Sequence, residues 1–183
     1  LAPRIVGTHP QPVTVAQCTA MGKALATLHL ALKKYPLKRH NAHGLKWWQA
    51  EAKKARAKMT AIEQLLLDTV LDDFEETIED FDDLPKGLIH GDLFRDNTLF
   101  DGDKLTAILD FSEAGKDYWL LDIAITVNDF CSDWPNVSLN TDLYHAFLAA
   151  YQQVRPLTDD EHEVLPTFLA MAATRFWLSR LSV

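Results

Sequence analysis

The sequence predicts an α+β fold that is mostly helical and carries a small β insert. Apolar residues recur at helical spacing from Thr14 to about residue 84, and helical patterns return from about residue 118. Between these parts, residues 88–110 hold the short apolar runs LI, TLF and LTAIL, which are separated by turn residues. The insert therefore lies between two helical parts of one chain.

The first helical part begins at a capping box. Thr14 is followed three residues later by Gln17, a pair that satisfies free backbone N–H groups at a helix start, and Pro36 ends this helix. A second, long helix is predicted after Gly44, with an apolar stripe of Trp48, Ala52, Ala55, Met59, Ile62 and Leu66. The acidic run DDFEETIEDFDDLP, which follows, is interpreted as a solvated helix face.

The insert and the last part of the chain also carry local signals. The sequence DGD at 101–103 predicts a hairpin between the second and third apolar runs. Helices are expected at about 118–132 and about 140–154. A last helix begins at Thr158, which forms a capping box with Glu161, and Pro166 is expected to break or restart it.

Composition narrows the functional classes. Lys and Arg total 18 against 26 Asp and Glu, which gives a formal net charge of -8 and argues against a nucleic-acid surface. No apolar run approaches the ~20 residues that a membrane helix needs, and no signal peptide is expected. The two cysteines, Cys18 and Cys131, are interpreted as reduced core thiols, and the protein is expected to be cytoplasmic.

The mouth of the predicted hairpin brings two metal-ligand types together. If 98–100 pairs with 105–109, Asn97 and Asp110 flank the open end of the hairpin. An amide oxygen and a carboxylate are suitable ligands for Mg²⁺, which takes few protein oxygens and leaves positions for water and phosphates. Asp92 lies five residues before Asn97, close enough to accept a proton from an attacking hydroxyl or to orient it. This order suits phosphoryl transfer.

The same order occurs in the kinase catalytic loop, H-x-D-L-x-x-x-N followed by a strand and D-F. Here it is His90-Gly91-Asp92-Leu93 with Asn97, and then Asp110-Phe111. We call residues 90–97 the HGD loop. Protein kinases carry Arg at the position of Gly91, and no A-P-E follows in this chain, so protein substrates are not expected.

The sequence resembles the aminoglycoside phosphotransferase and choline kinase superfamily, and within it the bacterial homoserine kinases of kinase-like fold. The matching stretches are LIHGDLFRDNTLF, AILDFSEAGKDYWLLDIAITVNDFC, GKALATLH and RFWLSRL. The resemblance implies the mostly helical C-terminal lobe of a protein-kinase-like fold, with the β-hairpin insert carrying the catalytic loop. It also implies ATP as co-substrate with Mg²⁺, and phosphorylation of homoserine in threonine biosynthesis.

The resemblance also implies roles for individual residues. Asp92 would be the catalytic base, and Asn97 and Asp110 would bind Mg²⁺. His90 would support the loop at the catalytic centre without acting as a base. Asp122 would hold His90 in place by hydrogen bonds. The side chains expected at the acceptor are Asn128, Asp129 and Arg175, the last facing a substrate carboxylate or forming a surface salt bridge instead.

Other acidic residues and one histidine receive structural interpretations. Asp96 and Asp101 are interpreted as loop or turn carboxylates, and His29 as a satisfied buried histidine. The rival motif, the metallophosphoesterase G-D-x-x-D, fits GDLFRD poorly because the second acid comes one position late and no G-N-H is present.

The seven glycines form no G-x-G-x-x-G loop, and no strand carries Lys in a V-A-I-K context. Residues 1–13 are therefore expected to be a linker from an N-terminal lobe, and residues 14–183 the C-terminal lobe. Alone, this chain is expected to bind Mg²⁺–ATP weakly and to turn over little. The alternatives are an aminoglycoside or choline/ethanolamine kinase, and a kinase-lobe module that only binds partners.

Overall fold

The computed structural model describes residues 4–36, 38–133 and 136–181. Six α-helices are present in these ranges: α1 Val15–Leu32, α2 Leu45–Ala55, α3 Ala61–Asp80, α4 Trp119–Phe130, α5 Thr141–Val154 and α6 Asp159–Leu181. Six short strands accompany them: β1 Lys86–Ile89, β2 Thr98–Asp101, β3 Lys104–Ile108, β4 Gly115–Tyr118, β5 Ser132–Asp133 and β6 Ser138–Leu139. The predicted α+β class, mostly helical with a small β insert, is confirmed.

Helix α1 begins as predicted and is joined to the hairpin. The Thr14 hydroxyl accepts a hydrogen bond from Gln17 N, while the Gln17 side chain accepts one from Thr14 N. The same two side chains reach the hairpin turn: Thr14 Oγ1 donates to Asp103 Oδ1 at 3.0 Å, and Gln17 Nε2 donates to Gly102 O at 2.9 Å. The start of α1 thereby fixes the position of the β2–β3 turn.

The prediction of a single long helix after Gly44 is wrong, because the helix is interrupted between α2 and α3. Thr60 caps α3 in a second capping box, in which Glu63 N donates to the Thr60 hydroxyl and Glu63 Oε2 accepts from Thr60 N at 2.7 Å. The new helix has a different buried face. Ile62 and Leu66, predicted in the stripe, are 81% and 57% exposed, and the buried residues of α3 are Leu67, Leu71 and Phe74.

The prediction that Pro166 breaks or restarts the last helix is also wrong, since α6 continues through this residue. Pro166 and His162 are both exposed, so the His162 carbonyl that loses its helical partner lies on the side of the helix that faces water. Val164, Leu165 and Phe168 are buried on the other side. Their packing offsets the lost hydrogen bond and keeps the helix continuous.

The strands form three two-stranded antiparallel sheets within the described ranges. The predicted hairpin pairs β2 with β3, and Gly102 has a positive φ of 58° in its turn. Strand β4, GKDY, was not predicted because its polar residues show no apolar alternation. It pairs with β1 in the register Lys86 to Tyr118 through Ile89 to Gly115. Strands β5 and β6, two residues each, also escaped prediction.

Part of the predicted linker lies along the hairpin. Thr8 and Phe100 exchange two backbone hydrogen bonds of 2.9 Å, and Thr106 Oγ1 donates to Val6 O at 2.7 Å. Residues 1–3 lie outside the described residues. The role of residues 1–13 as a linker between two lobes stays a prediction.

The core joins the helices behind the insert. Phe74 contacts Trp48 and Phe168 edge-to-face, each pair with ring centroids 5.0 Å apart. Cys18 and Cys131 are fully buried, as predicted for core residues. Within the residues described, no helix is both long and apolar enough to cross a membrane.

Candidate active site

The HGD loop leaves the buried end of β1 and enters β2. Leu88 and Ile89 are buried, so the strand carries His90 into the interior, where it is fully buried too. His90 Nε2 lies 2.8 Å from the Leu109 carbonyl oxygen, which can only accept, so this nitrogen carries the proton. His90 Nδ1 then accepts from Asp92 N at 3.3 Å. The imidazole thus links the start of the loop to the end of β3.

Asp122, in the first turn of α4, holds the backbone of the loop. Its Oδ2 accepts from His90 N at 2.7 Å, and its Oδ1 accepts from Gly91 N at 2.9 Å. Asp122 is fully buried, and His29 Nε2 lies 3.1 Å from Oδ2 as a third partner. Burial alone raises the pKa of Asp122, but the hydrogen bonds from His29 and from the two backbone N–H groups hold it below its usual value.

Arg175, on α6, reaches the loop from another helix. Its Nη1 donates to the Gly91 carbonyl oxygen at 2.7 Å, and the side chain is buried. Burial lowers the pKa of Arg175, while nearby carboxylates, Asp92 first among them, raise it. The predicted contact of Arg175 with a substrate carboxylate stays a prediction; the contact that the structure contains is with the loop.

Gly91 itself has little room for a side chain. Its φ is +78°, and a Cβ built on it would lie 3.0 Å from the Glu113 carbonyl oxygen. A residue other than glycine would therefore be strained in its backbone and crowded against the segment after β3. Glycine lets that segment pack against the loop.

Asp92 and Asn97 are joined across the loop. Asn97 Nδ2 donates to the Asp92 carbonyl oxygen at 2.7 Å and to Asp92 Oδ2 at 3.1 Å. In the part of the chain that the structure describes, Asp92 Oδ1 has no hydrogen-bond partner. The carboxylate is thus held at one oxygen, while the other remains able to accept a proton.

Asn97 and Asp110 flank the open end of the hairpin, as the sequence predicted. Thr98 is paired with Ile108, and Leu109 N donates to the Asn97 carbonyl oxygen at 2.8 Å. Asp110 has a positive φ of 54°, and its Oδ1 accepts from Ser112 N at 3.1 Å. Hydrogen bonding with the Ser112 side chain, and then with its backbone N–H, lowers the pKa of this exposed carboxylate.

These two side chains fit a magnesium ion chemically. The Asn97 amide nitrogen is used by Asp92, so its Oδ1 is the atom left for a cation. Asp110 is exposed and has its pKa lowered, so it is ionised at neutral pH. One amide and one carboxylate oxygen suit an ion that keeps several water or phosphate ligands. The described residues contain no cluster of three or more His, Cys, Asp or Glu that could hold a metal.

The residues predicted at the acceptor have partners inside the chain. Asn128 Nδ2 donates to the Leu169 carbonyl oxygen at 2.9 Å, which connects α4 to α6. Asp129 accepts from Arg95 N at 2.6 Å and from Arg95 Nε at 3.1 Å. Asp129 therefore fixes the middle of the HGD loop, and an acceptor role for either residue stays a prediction.

Two residues were not predicted from the sequence, one that holds the HGD loop and one that contacts Asp122. Arg95 lies in the loop itself, but its partner Asp129 is 34 residues away, and nothing local pairs them. His29 is buried and hydrogen-bonded, as predicted, yet one of its partners is Asp122. The acids with structural interpretations, Asp96 and Asp101, are exposed.

The fold is that of the kinase-like phosphotransferases. The amicoumacin kinase hAmiN, solved with AMP-PNP and Ca²⁺, superimposes with a TM-score of 0.70 at 20% identity, over all of this chain and 56% of its own. A microcompartment-associated aminopropanol kinase gives 0.69 at 21% identity, covering 97% of this chain and 63% of its own. The choline kinase of Cryptosporidium parvum gives 0.63 at 18% identity, covering 99% and 63%.

The chain belongs to the phosphotransferase enzyme family, whose pattern matches residues 1–163. A homoserine kinase of Methylobacillus flagellatus is 44% identical over 165 residues, which cover 90% of this chain and 51% of that protein. A homoserine kinase of Pseudomonas aeruginosa is 37% identical over 181 residues, covering 99% and 57%. The chain thus spans about half the length of the relatives it matches.

Proposed function

We propose that the protein to which this chain belongs is a homoserine kinase, which transfers the γ-phosphoryl group of ATP to the hydroxyl oxygen of L-homoserine. The observation that carries the chemistry is the contact between Asn97 and Asp92, because it joins a candidate base to a candidate metal ligand. The choice of homoserine rests on relatives of that name at 37–44% identity over 90–99% of this chain.

Asp92 is the proposed base. Its carboxylate accepts the proton of the acceptor hydroxyl as that oxygen bonds to phosphorus and the bond to the ADP oxygen breaks. Asn97 keeps the carboxylate in one orientation through the 3.1 Å hydrogen bond to Oδ2. His90, Asp122 and Arg175 hold the backbone on which Asp92 stands.

Asn97 Oδ1 and the Asp110 carboxylate are the proposed ligands of Mg²⁺. When bound, the ion neutralises the negative charge that shifts onto the leaving-group oxygen during the transfer. The lowered pKa of Asp110 supports this assignment, because it favours the ionised ligand.

The proposed acceptor region lies on the α4 and α6 side of the loop. Asn128 and Asp129, near the end of α4, would approach the ammonium group of the substrate. Arg175 has five N–H donors, so the hydrogen bond to Gly91 leaves others for the substrate carboxylate.

The rest of the active site is proposed to come from the part of the protein that this chain does not span. A phosphate-covering loop and a phosphate-binding Lys are parts of a kinase nucleotide site, and the chain offers neither motif. We therefore propose that the isolated chain turns over little. We also propose that the whole protein acts in the cytoplasm in threonine biosynthesis.

A substrate panel tests this proposal. The full-length protein is assayed for ADP release with Mg²⁺–ATP and, separately, homoserine, choline, ethanolamine and an aminoglycoside. We expect the highest kcat/KM with homoserine. A preference for choline, ethanolamine or the aminoglycoside would overturn the substrate, and no transfer to any hydroxyl would favour a module that only binds partners.

A further inference from the structure

Five polar side chains form one continuous buried network behind the HGD loop. Glu161 Oε1 contacts Arg155 Nη2 at 2.6 Å, and Arg155 Nη1 contacts the Tyr151 hydroxyl at 3.3 Å. The hydroxyl lies 2.7 Å from His29 Nδ1, and His29 Nε2 lies 3.1 Å from Asp122 Oδ2. The network thus runs from the start of α6, through α5 and α1, to the carboxylate that holds the loop.

The direction of each hydrogen bond follows from the chemistry of its groups. Carboxylates accept and guanidinium groups donate, so Arg155 donates both to Glu161 and to the Tyr151 oxygen. His29 Nε2 must carry a proton, because its partner is the Asp122 carboxylate. The Tyr151 oxygen accepts from Arg155, and the hydroxyl proton then has His29 Nδ1 as its partner, which accepts.

The network is closed off from solvent. His29, Asp122 and Glu161 are fully buried, as is Tyr151, and Arg155 is 7% exposed. Trp119 closes one side: its ring is stacked on His29 with centroids 5.4 Å apart, and the Arg155 guanidinium lies 4.7 Å from the Trp119 centroid. An unpartnered polar group here would have no water to replace its partner.

We propose that Tyr151, Arg155 and Glu161 are positioning residues for phosphoryl transfer, because they keep His29 neutral and protonated at Nε2, the form that orients Asp122. This inference rests on the proposed kinase function. Burial also lowers the pKa of His29, which agrees with a neutral ring. Purely structural packing would need the shapes of these side chains but not their hydrogen-bond direction.

The consequence for the loop is geometric. Asp122 Oδ2 is shared between His29 Nε2 and His90 N, so a change in the proton or orientation of His29 alters a contact that holds Asp92. Without the Tyr151 hydroxyl, His29 Nδ1 is open to protonation or to ring rotation. A displacement of catalytic groups by about 1 Å can lower a rate by roughly 100-fold.

The test removes the hydroxyl and keeps the ring. Tyr151→Phe in the full-length protein is expected to lower kcat by about 10-fold, with KM for ATP and for the acceptor changing less than about twofold. Tyr144→Phe is the matched control: it lies on the same helix, α5, and among the described residues its hydroxyl has no hydrogen-bond partner. The control is expected to keep wild-type kcat and KM.

A spectroscopic readout separates this inference from the proposed function. In the wild-type protein, ¹⁵N shifts of the His29 ring are expected to show a neutral imidazole with its proton on Nε2. In Tyr151→Phe they are expected to move toward the imidazolium or a tautomer mixture. Wild-type kcat in Tyr151→Phe, or a wild-type ring protonated at Nδ1, would overturn the inference, and the second result stands even if the variant does not fold. Absence of kinase activity in wild type would reject the proposed function, whereas the ¹⁵N shifts of the His29 ring would still test its protonation state.

Discussion

The guanidinium of Arg175 donates a hydrogen bond of 2.7 Å to the carbonyl oxygen of Gly91. The N–H of the same glycine donates to Asp122 Oδ1 at 2.9 Å. Two helices, α4 and α6, therefore hold both polar groups of the residue that precedes Asp92. These two contacts hold the backbone before the candidate base, and neither of them touches its carboxylate.

Replacing Arg175 by Lys separates two roles of this side chain. Lysine keeps the charge but lacks the planar fork of donors, so the contact with Gly91 should weaken. We expect kcat to fall by about 10-fold for homoserine and for a slow acceptor without a carboxylate, such as aminopropanol. If Arg175 also binds the substrate carboxylate, KM should rise for homoserine alone.

The two outcomes are independent in steady-state kinetics of the full-length protein. An unchanged kcat would contradict the role in holding the loop. An equal change in KM for both acceptors would contradict the contact with the substrate carboxylate.

Asp92→Ala should abolish most of the turnover, because the acceptor hydroxyl loses its base. We expect kcat to fall by roughly 10²–10⁴ in the full-length protein. Asp96→Ala, four residues further along the same loop and exposed, is the matched control and should stay near wild type. Equal losses in both variants would point to general disturbance of the loop.

Asp110→Asn should weaken the binding of divalent cations. The substitution keeps the size of the side chain but removes the negative charge, so the Mg²⁺ concentration needed for half-maximal activity should rise by about 10-fold or more. Binding of Mn²⁺ to the protein with ATP, measured by electron paramagnetic resonance, gives a readout apart from turnover. Asp101→Asn, at the exposed hairpin turn, is the control; equal cation binding in the two variants would contradict the assignment of Asp110.

The site was predictable from sequence where its geometry is local. Asn97 and Asp110 flank a short hairpin whose turn is written as DGD, so pairing of the flanking strands alone brings them together. The partners of Gly91 were not predictable in this way. Arg175 is 84 residues from Gly91, and no local pattern encodes the packing that joins them.

The fold was misread where two local signals competed. The apolar spacing of Met59, Ile62 and Leu66 continues the stripe of α2, but Thr60 and Glu63 form a capping box across it. The capping box prevails, because it satisfies backbone groups while Ile62 and Leu66 remain exposed. At Pro166 the local helix-breaking signal did not prevail, since buried neighbouring side chains kept the helix continuous.

Thr60→Ala should destabilise the fold through the start of α3. The hydroxyl caps Glu63 N, so its loss should lower the free energy of unfolding by about 1 kcal/mol. Thr69→Ala is the control on the same helix: its exposed hydroxyl donates to the Leu65 carbonyl four residues earlier and caps nothing. Urea unfolding of both variants measures the difference, and equal losses would show that the cap contributes nothing.

Folding stability should fall as the pH drops below about 6.5, because of His29. Burial lowers the pKa of His29 from its ordinary value of 6.5, more than Asp122 raises it. Between that value and the lower folded pKa, the unfolded chain binds a proton that the folded chain does not. The free energy of unfolding therefore decreases toward acid, by at most about 1.4 kcal/mol per pH unit for this one group.

Asp122 acts in the same direction but at lower pH. Its folded pKa lies below the ordinary 3.8, so its contribution is complete above that value and is lost as the pH falls through the folded pKa. Unfolding in urea at pH 7.5 and 5.5 thus tests His29 with little contribution from Asp122. His29→Gln should show a smaller difference between the two pH values than wild type; an equal difference would mean that His29 is not the group that titrates.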